Sequence, residues 1–569
     1  MFRSLFFFSL LVITASMAFA QAGSLEPLTP VGAPRLLNGL GWNVTLDQEW
    51  EFEKVQAARG KEARFQFSWD AVEGVDGTLK LSAKFQQALQ WCAKYHLEPM
   101  IVAAYGGPRK KLLELTVTQD VEAGVYRIPV RGDVAKIRVP YCHVLAGKTQ
   151  LVAEGKWAYY GALIDAVDVD GGAISLGAKT KAPIAAGTVL TVNELRYPSI
   201  ATEAADDPST LAYLRYTHFL AEQIAALGLK GTVEIWNEPP WAHDPWDHRS
   251  GVYDTPPATL SKNSPNWGIL RALLAEKLPE GVRYTWGGSH KSGTRGVLSL
   301  PPPAATREQV TASVVSEGWH PYGPTPEWNS WNPARLEESG NAAAAALEGS
   351  NQGSNFKQGR RKAYEHLKSS GWTVPQQVSE AGLATSDQLG KARWVVRFFL
   401  VNMCLGPQPQ LERVNFYRLA EEAEGYAMID RTTRAELPAY VALKELMNDL
   451  ARMGEAPLPD RAADLPTVTG EYHGEFPLVS IPITGRSTSA ESRNRVLFVC
   501  FQRTYAAKDS DWLAANPKPA LVHVQIPPGF AAEGAIDLVT RKDVPVTTEN
   551  GVVSFKVSAN PVALRTVPK

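Results

Sequence analysis

Two carboxylates stand out by the residues around them. Glu238 closes the run Glu234-Ile235-Trp236-Asn237-Glu238-Pro239-Pro240, and Glu380 sits within Gln377-Val378-Ser379-Glu380-Ala381-Gly382. Each lies where a strand is expected to end, with Pro239 directly after Glu238 and Gly382 two residues after Glu380. Two carboxyl groups facing each other across a sugar suffice to cleave a glycosidic bond. One, held protonated, donates to the leaving oxygen; the other, ionised, attacks the anomeric carbon. Asn237, beside Glu238, is of the type that hydrogen-bonds a sugar 2-OH, a contact that strengthens as the oxocarbenium-like transition state forms.

Such a pair needs a scaffold that brings distant strand ends together. From about Leu36 to Met453, short apolar segments alternate with amphipathic helical ones. Arg64–Trp69 alternates with period two, as a strand does. Ser82 is placed to cap a helix whose apolar face carries Phe85, Leu89, Cys92 and His96, and Met100–Tyr105 then reads as a buried strand. A second helix runs from Ser209 through Leu211, Leu214, Leu220, Ile224 and Leu227 to a Gly228 cap, with Thr232–Trp236 following at once. Apolar strands joined by helices pair in parallel with both faces covered.

Eight strands are expected, at Leu36–Gly39, Ala63–Trp69, Met100–Tyr105, Thr232–Trp236, Tyr284–Gly288, Val314–His320, Gln376–Glu380 and Arg413–Tyr417. They predict an α/β fold, a (β/α)8 TIM barrel, with Glu238 and Glu380 at the C-terminal rim of strands four and seven. Arg109–Tyr197 is too long for a barrel loop and reads as strands and turns, such as Val125–Val130 and Asp170-Gly171-Gly172. Asp165, Asp168 and Asp170 do not follow EF-hand spacing, so a hairpin turn explains them better than calcium. After about Gly454 come the alternating segments Val496–Gln502, Leu521–Gln525, Ala535–Val539 and Val552–Val557. The expected domains are a signal peptide at 1–20, the barrel at 21–108 and 198–453, an inserted β-domain after strand 3 at 109–197, and a C-terminal β-sandwich at 454–569.

The first 20 residues carry one Arg, an apolar run from Leu5 to about Ile13 and the cleavage-like Ala18-Phe19-Ala20. They read as a signal peptide removed near Ala20, hence a secreted or periplasmic protein. That run is too short to cross a bilayer, and no later segment is long enough, so no membrane span is expected. With 58 basic residues against 59 acidic ones, no global field draws nucleic acid or anionic lipid, and neither is expected as a partner. Cys92, Cys142, Cys404 and Cys500 are far apart and define neither a zinc site nor a disulfide framework; buried free thiols account for them equally well.

With these residues in place, the chain resembles clan A of the retaining glycoside hydrolases, most closely glycoside hydrolase family 39 and its polysaccharide-cleaving relatives. The matching pieces come in family order: Arg64 with Phe67-Ser68-Trp69 on strand 2, Trp236-Asn237-Glu238-Pro239 on strand 4, His320-Pro321-Tyr322-Gly323 on strand 6 and Ser379-Glu380 on strand 7. The resemblance covers the barrel apart from the insert, and the sandwich more loosely. It implies Glu238 as acid/base and Glu380 as nucleophile, Asn237 on the 2-OH, Arg64 and Tyr322 positioning the nucleophile, and His320 lining the sugar subsite. It implies neither metal nor cofactor. Two features depart from the pattern. The insert lies beside the expected mouth, and Asn415-Phe416-Tyr417-Arg418 lacks the Trp that often floors the clan A subsite, which leaves that stacking to Tyr417 or another ring.

The loop Trp241-Ala242-His243-Asp244-Pro245-Trp246-Asp247-His248 holds two His and two Asp. Pro245 splits the cluster and the implied chemistry needs no metal, so a polar, sugar-contacting loop is the more economical reading. Trp241 and Trp246, with Trp328 and Trp331, offer faces for stacking sugars or for packing loops. The alternatives are a structural ion-pair partner for Arg64 and a buried core histidine for His320, each the lesser reading. A barrel without turnover would be a carbohydrate-binding or scaffold protein. A binder has no physical need of both carboxylates, so the expectation is a hydrolase of β-glycosidic bonds in an oligo- or polysaccharide, acting by double displacement. Its two carboxyl groups should stand ~5–5.5 Å apart.

Overall fold

The computed structural model describes residues 31–74, 76–104, 108–137, 139, 142–147, 149–152, 163–195, 208–235, 237, 277–289, 315–320, 375–405, 411–421, 425–453, 468–471, 478–486, 494–502, 519–526 and 528–569. Eight parallel strands lie at its centre: β1 (Leu40–Asn43), β2 (Glu62–Ser68), β3 (Glu98–Ala104), β4 (Gly231–Ile235), β5 (Val282–Ser289), β6 (Val315–Trp319), β7 (Gln376–Ala381) and β8 (Val414–Phe416). Each pairs with its two neighbours in chain order, and β8 pairs with β1, so the sheet curls round on itself. Helices follow five of the strands among the described residues. These are α1 (Glu49–Ala57), α2 (Ala83–Lys94), α3 (Pro208–Ala226, beyond the insert), α4 (Gln388–Leu400) and α5 (Pro438–Met453).

Period-two alternation sorts the side chains of β2. Phe65 and Phe67 face the helices, where Phe65 meets Phe52 of α1 and Phe67 stacks on Phe85 of α2 at 4.1 Å. Glu62 and Arg64 face the inside of the ring. Glu62 there accepts from Arg413 Nη1 and Asn415 Nδ2, both at 2.6 Å. A Cβ on Gly41 would lie 1.9 Å from Asn415 Oδ1, so β1 needs glycine for Asn415 to reach across. Ser82 caps α2 by accepting from Phe85 N, and Gly228 (φ +67) follows α3 in the left-handed region.

Two local expectations fail. Leu36–Gly39 is not a strand: Ala33–Leu37 is a short helix with Pro34 in its first turn, where proline's fixed φ suits a helix start, and β1 begins at Leu40. His96 is not on the apolar face of α2, which ends at Lys94; it is exposed and left-handed (φ 54) in the turn that follows.

The segment after β3 forms a seven-stranded antiparallel sheet from Pro108–Val117 to Val189–Leu195, with its own core around Leu115, Ile128, Val144, Ile174 and Leu190. In its hairpin the Asp168 carboxylate accepts from Gly171 N and from Arg127 Nη2 at 2.6 Å, and Gly172 supplies the positive φ.

Beyond the ring, a six-stranded sheet that includes Leu478–Arg486, Asn494–Gln502 and Val562–Pro568 faces a four-stranded one that includes Ala520–Gln525 and Val552–Val557. Cys500, Val522, Val524, Phe555 and Leu564 fill the space between the two sheets. One edge strand of the larger sheet is Val31–Gly32, paired in parallel with Ile483–Thr484. The residues just before the ring therefore belong to this sheet and not to the barrel assigned to 21–108. Its other face, with Ile481, Ile483 and Val499, shares one core with Met447 and Leu450 of α5. All four cysteines are buried.

Candidate functional site

The strand ends converge on one guanidinium. Arg64 of β2, 5% exposed, donates from Nε to Glu234 Oε2 of β4 at 2.6 Å. Its Nη1 donates to Asn43 Oδ1 of β1 at 2.5 Å, and its Nη2 to Asn237 Oδ1 at 2.9 Å. Nη1 also lies 3.5 Å from Glu380 Oε2 of β7, and Nη2 lies 3.5 Å from His320 Nε2, just past β6. His320 Nδ1 approaches the same Glu380 Oε2 at 3.1 Å, while its Nε2 is 3.6 Å from Glu234 Oε1. Five strands are thereby tied through a single charged fork, which matches carboxylate geometry better than lysine would.

The two described carboxylates differ in what reaches them. Glu234 is sealed. Burial alone would push its carboxyl up, but the Arg64 charge and the His320 contact outweigh burial and hold it at about 2. Glu234 is thus a fixed countercharge. Glu380 keeps 11% of its side chain open to solvent and shares Arg64 and His320 with Glu234.

A bulge turns Glu380 inward. Val378 pairs with Val414 and Ala381 with Phe416, so Ser379 and Glu380 together stand opposite the single residue Asn415. Two residues against one shifts the alternation, and such bulges re-aim a side chain. The chain leaves β8 through Tyr417, whose N–H donates to Ala381 O at 2.7 Å and whose peptide bond to Arg418 is cis. The Tyr417 ring meets Tyr426 edge-on at 5.4 Å. Burial raises its phenol above the usual range, Arg418 opposes this, and the Glu380 charge adds to it. Lys391 of α4, 1% exposed, brackets this exit by donating to Gly425 O and Ala427 O; burial brings its ammonium down to about 8.

Of the residues named from the sequence, the structure gathers Arg64, Asn237, His320 and Glu380 into one network and sets Tyr417 beside it. Glu238, Tyr322, Trp241 and Trp246 lie outside the described residues, as do the His243–His248 loop, Trp328 and Trp331. Two members went unnoticed in sequence. Glu234 was detectable as a carboxylate between Val233 and Ile235 in a wholly buried strand, which demands an interior partner. Asn43 ends a four-residue buried strand and gives no comparable signal. Among the described residues no cluster of His, Cys, Asp and Glu is arranged to hold a metal, and no helix is long and apolar enough to cross a membrane.

The sequence matches no protein-family model and no curated protein. Solved structures similar to it are glycoside hydrolases. One is a family 39 glycoside hydrolase from the gut symbiont Bacteroides cellulosilyticus WH2, with TM-score 0.48 and 13% identity over 95% of this chain and 83% of that one. A second is the bifunctional glucanase-xylanase CelM2 from a metagenome library, with TM-score 0.46 and 10% identity over 96% and 98%. A third is the family 30 subfamily 8 xylanase Xyn30A from Clostridium acetobutylicum, with TM-score 0.43 and 10% identity over 93% and 96%. Likeness at this level does not place the chain in a family, and the functional reading below stands on the strand-end side chains.

Proposed function

We propose that the chain is a retaining glycoside hydrolase that cleaves β-glycosidic bonds in an oligo- or polysaccharide. The observation that carries this reading is Glu380: a carboxylate on a strand-end bulge, reachable by solvent, with Oε2 3.1 Å from His320 and 3.5 Å from Arg64. These two contacts hold the carboxylate in one place at the strand end, as in-line attack on a substrate carbon requires. Glu234 meets the same partners but is closed to any substrate.

Glu380 attacks the anomeric carbon as Glu238 gives its proton to the leaving oxygen. Glu238, now ionised, takes a proton from water, which displaces Glu380 and restores both groups. Asn237, anchored by Arg64, would meet the sugar 2-OH; His320, Tyr322 and Tyr417 would line the subsite, and Trp241 and Trp246 would stack sugars on the leaving-group side. No metal or cofactor enters this scheme. Residues 1–20 act as an export signal, and a helix after every ring strand completes a (β/α)8 barrel, with 109–197 inserted and 454–569 as the sandwich.

Release of a chromogenic aglycone from a panel of aryl β-glycosides tests the reading. Wild type turns over, Glu380→Ala does not, and azide restores the variant with a glycosyl azide of inverted configuration. Glu238→Ala with azide instead gives the retained configuration. Wild-type turnover by Glu380→Ala, or an inverted first product from wild type, overturns it. Sugar binding without turnover across the panel points instead to a carbohydrate-binding protein.

A further inference from the structure

Asn43 touches two of the groups that fix Glu380, Arg64 and the β7 bulge, while His320 and Tyr417 face the same carboxylate from β6 and the β8 exit. Its Oδ1 accepts from Arg64 Nη1, the same nitrogen that lies 3.5 Å from Glu380 Oε2. Its Nδ2 donates at 3.4 Å to two carbonyls, Ser379 O in the β7 bulge and Phe416 O at the end of β8. The amide orientation is unambiguous, because a guanidinium only donates and a carbonyl only accepts. The residue is 7% exposed and lies in the last position of β1.

The choice of amide matters for charge. Arg64 already faces two carboxylates, one buried pair with Glu234 and one contact with Glu380. A neutral acceptor holds Nη1 in place without neutralising it. A carboxylate there would take up more of the guanidinium charge and stand as a third anion in the cluster. An apolar residue would release Nη1 to close on Glu380.

We infer that Asn43 is a positioning residue: it holds the Arg64 fork and the β7 bulge in one grip and so sets the share of the Arg64 charge that reaches Glu380. This rests on the reading of Glu380 as nucleophile. Asn43 acts through Arg64 and Ser379 and has no contact of its own with the reacting atoms.

The test compares kcat/KM against pH for wild type, Asn43→Asp and Asn43→Ala on one aryl β-glycoside, with thermal unfolding alongside. The acid limb reports ionisation of the nucleophile in the free enzyme. Asn43→Asp moves that limb up by about one pH unit, the scale of a like charge added nearby. Asn43→Ala moves it down, with kcat about tenfold lower and KM within about twofold. Opposite shifts support the inference. A limb left at its wild-type position by both variants overturns it, whatever rate is lost, since a merely structural residue would cost rate without moving the limb. If Asn43→Asp does not fold, Asn43→Ala decides alone, and an unmoved or raised limb counts against. Carboxyl NMR titration of Glu380, assigned with Glu380→Gln, reads the same shifts without substrate. Shifts seen there without turnover would retire the hydrolase reading, and with it Glu380 as nucleophile, while showing that Asn43 still sets the charge reaching that carboxylate.

Discussion

The Arg64 guanidinium and the Glu234 carboxylate meet at 2.6 Å inside the strand ring, with 5% and 0% of their side chains exposed. Neither charge could remain there alone, because an unpaired buried ion costs several kcal/mol. The pair is therefore a condition of the site, and it divides one arginine between a sealed carboxylate and a reachable one.

An acid-stability prediction follows from that pair. Glu234 is held at about 2 in the folded chain, below the ~4.3 of an unfolded glutamate. A depressed carboxyl contributes stability that is fully present above the unfolded value and is lost as pH falls through the folded one. Wild type should thus lose stability between about pH 4.5 and 2, and Glu234→Gln should lose less across the same interval. At neutral pH the variant should be about 3–5 kcal/mol less stable, as when one partner of a buried pair is removed. Urea unfolding from pH 7 down to 3 checks both; an equal acid slope in the two proteins would contradict the assignment.

Asp449 makes the corresponding contact between α5 and the C-terminal sheet. It accepts from Arg565 Nη2 at 2.9 and 3.0 Å and from Arg541 Nη1 and Nη2 at 3.3 Å, with Arg452 at 3.5 Å. Asp449→Ala strands two arginines that are 20% and 29% exposed. Solvent screens part of the cost, so about 2–4 kcal/mol should be lost, less than for a fully buried pair. kcat of the folded fraction should not change, since none of these groups touches the Arg64 network. A fall in Tm with unchanged kcat is the expected result.

Much of the ring was legible because its strands are apolar and bounded by turn residues; Asn237 and Glu380 could be named from strand ends, and Arg64 and His320 from the resemblance of their motifs. That they meet at one guanidinium could not be read, since closure of a parallel sheet brings together residues hundreds of positions apart. The bulge was equally hidden: period two assigns Ser379 and Glu380 to opposite faces, and only the pairing of β7 with β8 shows otherwise. Leu36–Gly39 misled because its apolar content suits either element, and Pro34 decided for helix. The pairing of Val31–Gly32 with Ile483–Thr484 had no signal at all, two residues being too few to carry a pattern.

Gly382 offers a test of how the β8 exit is placed. A Cβ there would lie 2.2 Å from Tyr417 O and 2.8 Å from Tyr426 Cδ1. A ring edge can swing aside, but the Tyr417 carbonyl belongs to a backbone whose N–H is already fixed on Ala381 O. Gly382→Ala must therefore displace Tyr417 away from β7, at about 1–3 kcal/mol for the overpacking. Because Tyr417 stands close enough to Glu380 to feel its charge, its displacement should reach the proposed sugar subsite. KM should rise by about tenfold while kcat falls less, the pattern of lost ground-state binding. The double variant Gly382→Ala/Tyr426→Ala removes the ring contact and leaves the carbonyl clash, so it should stay impaired. Full recovery in the double variant would mean that the Tyr426 ring, and not the Tyr417 backbone, is what requires glycine at this turn.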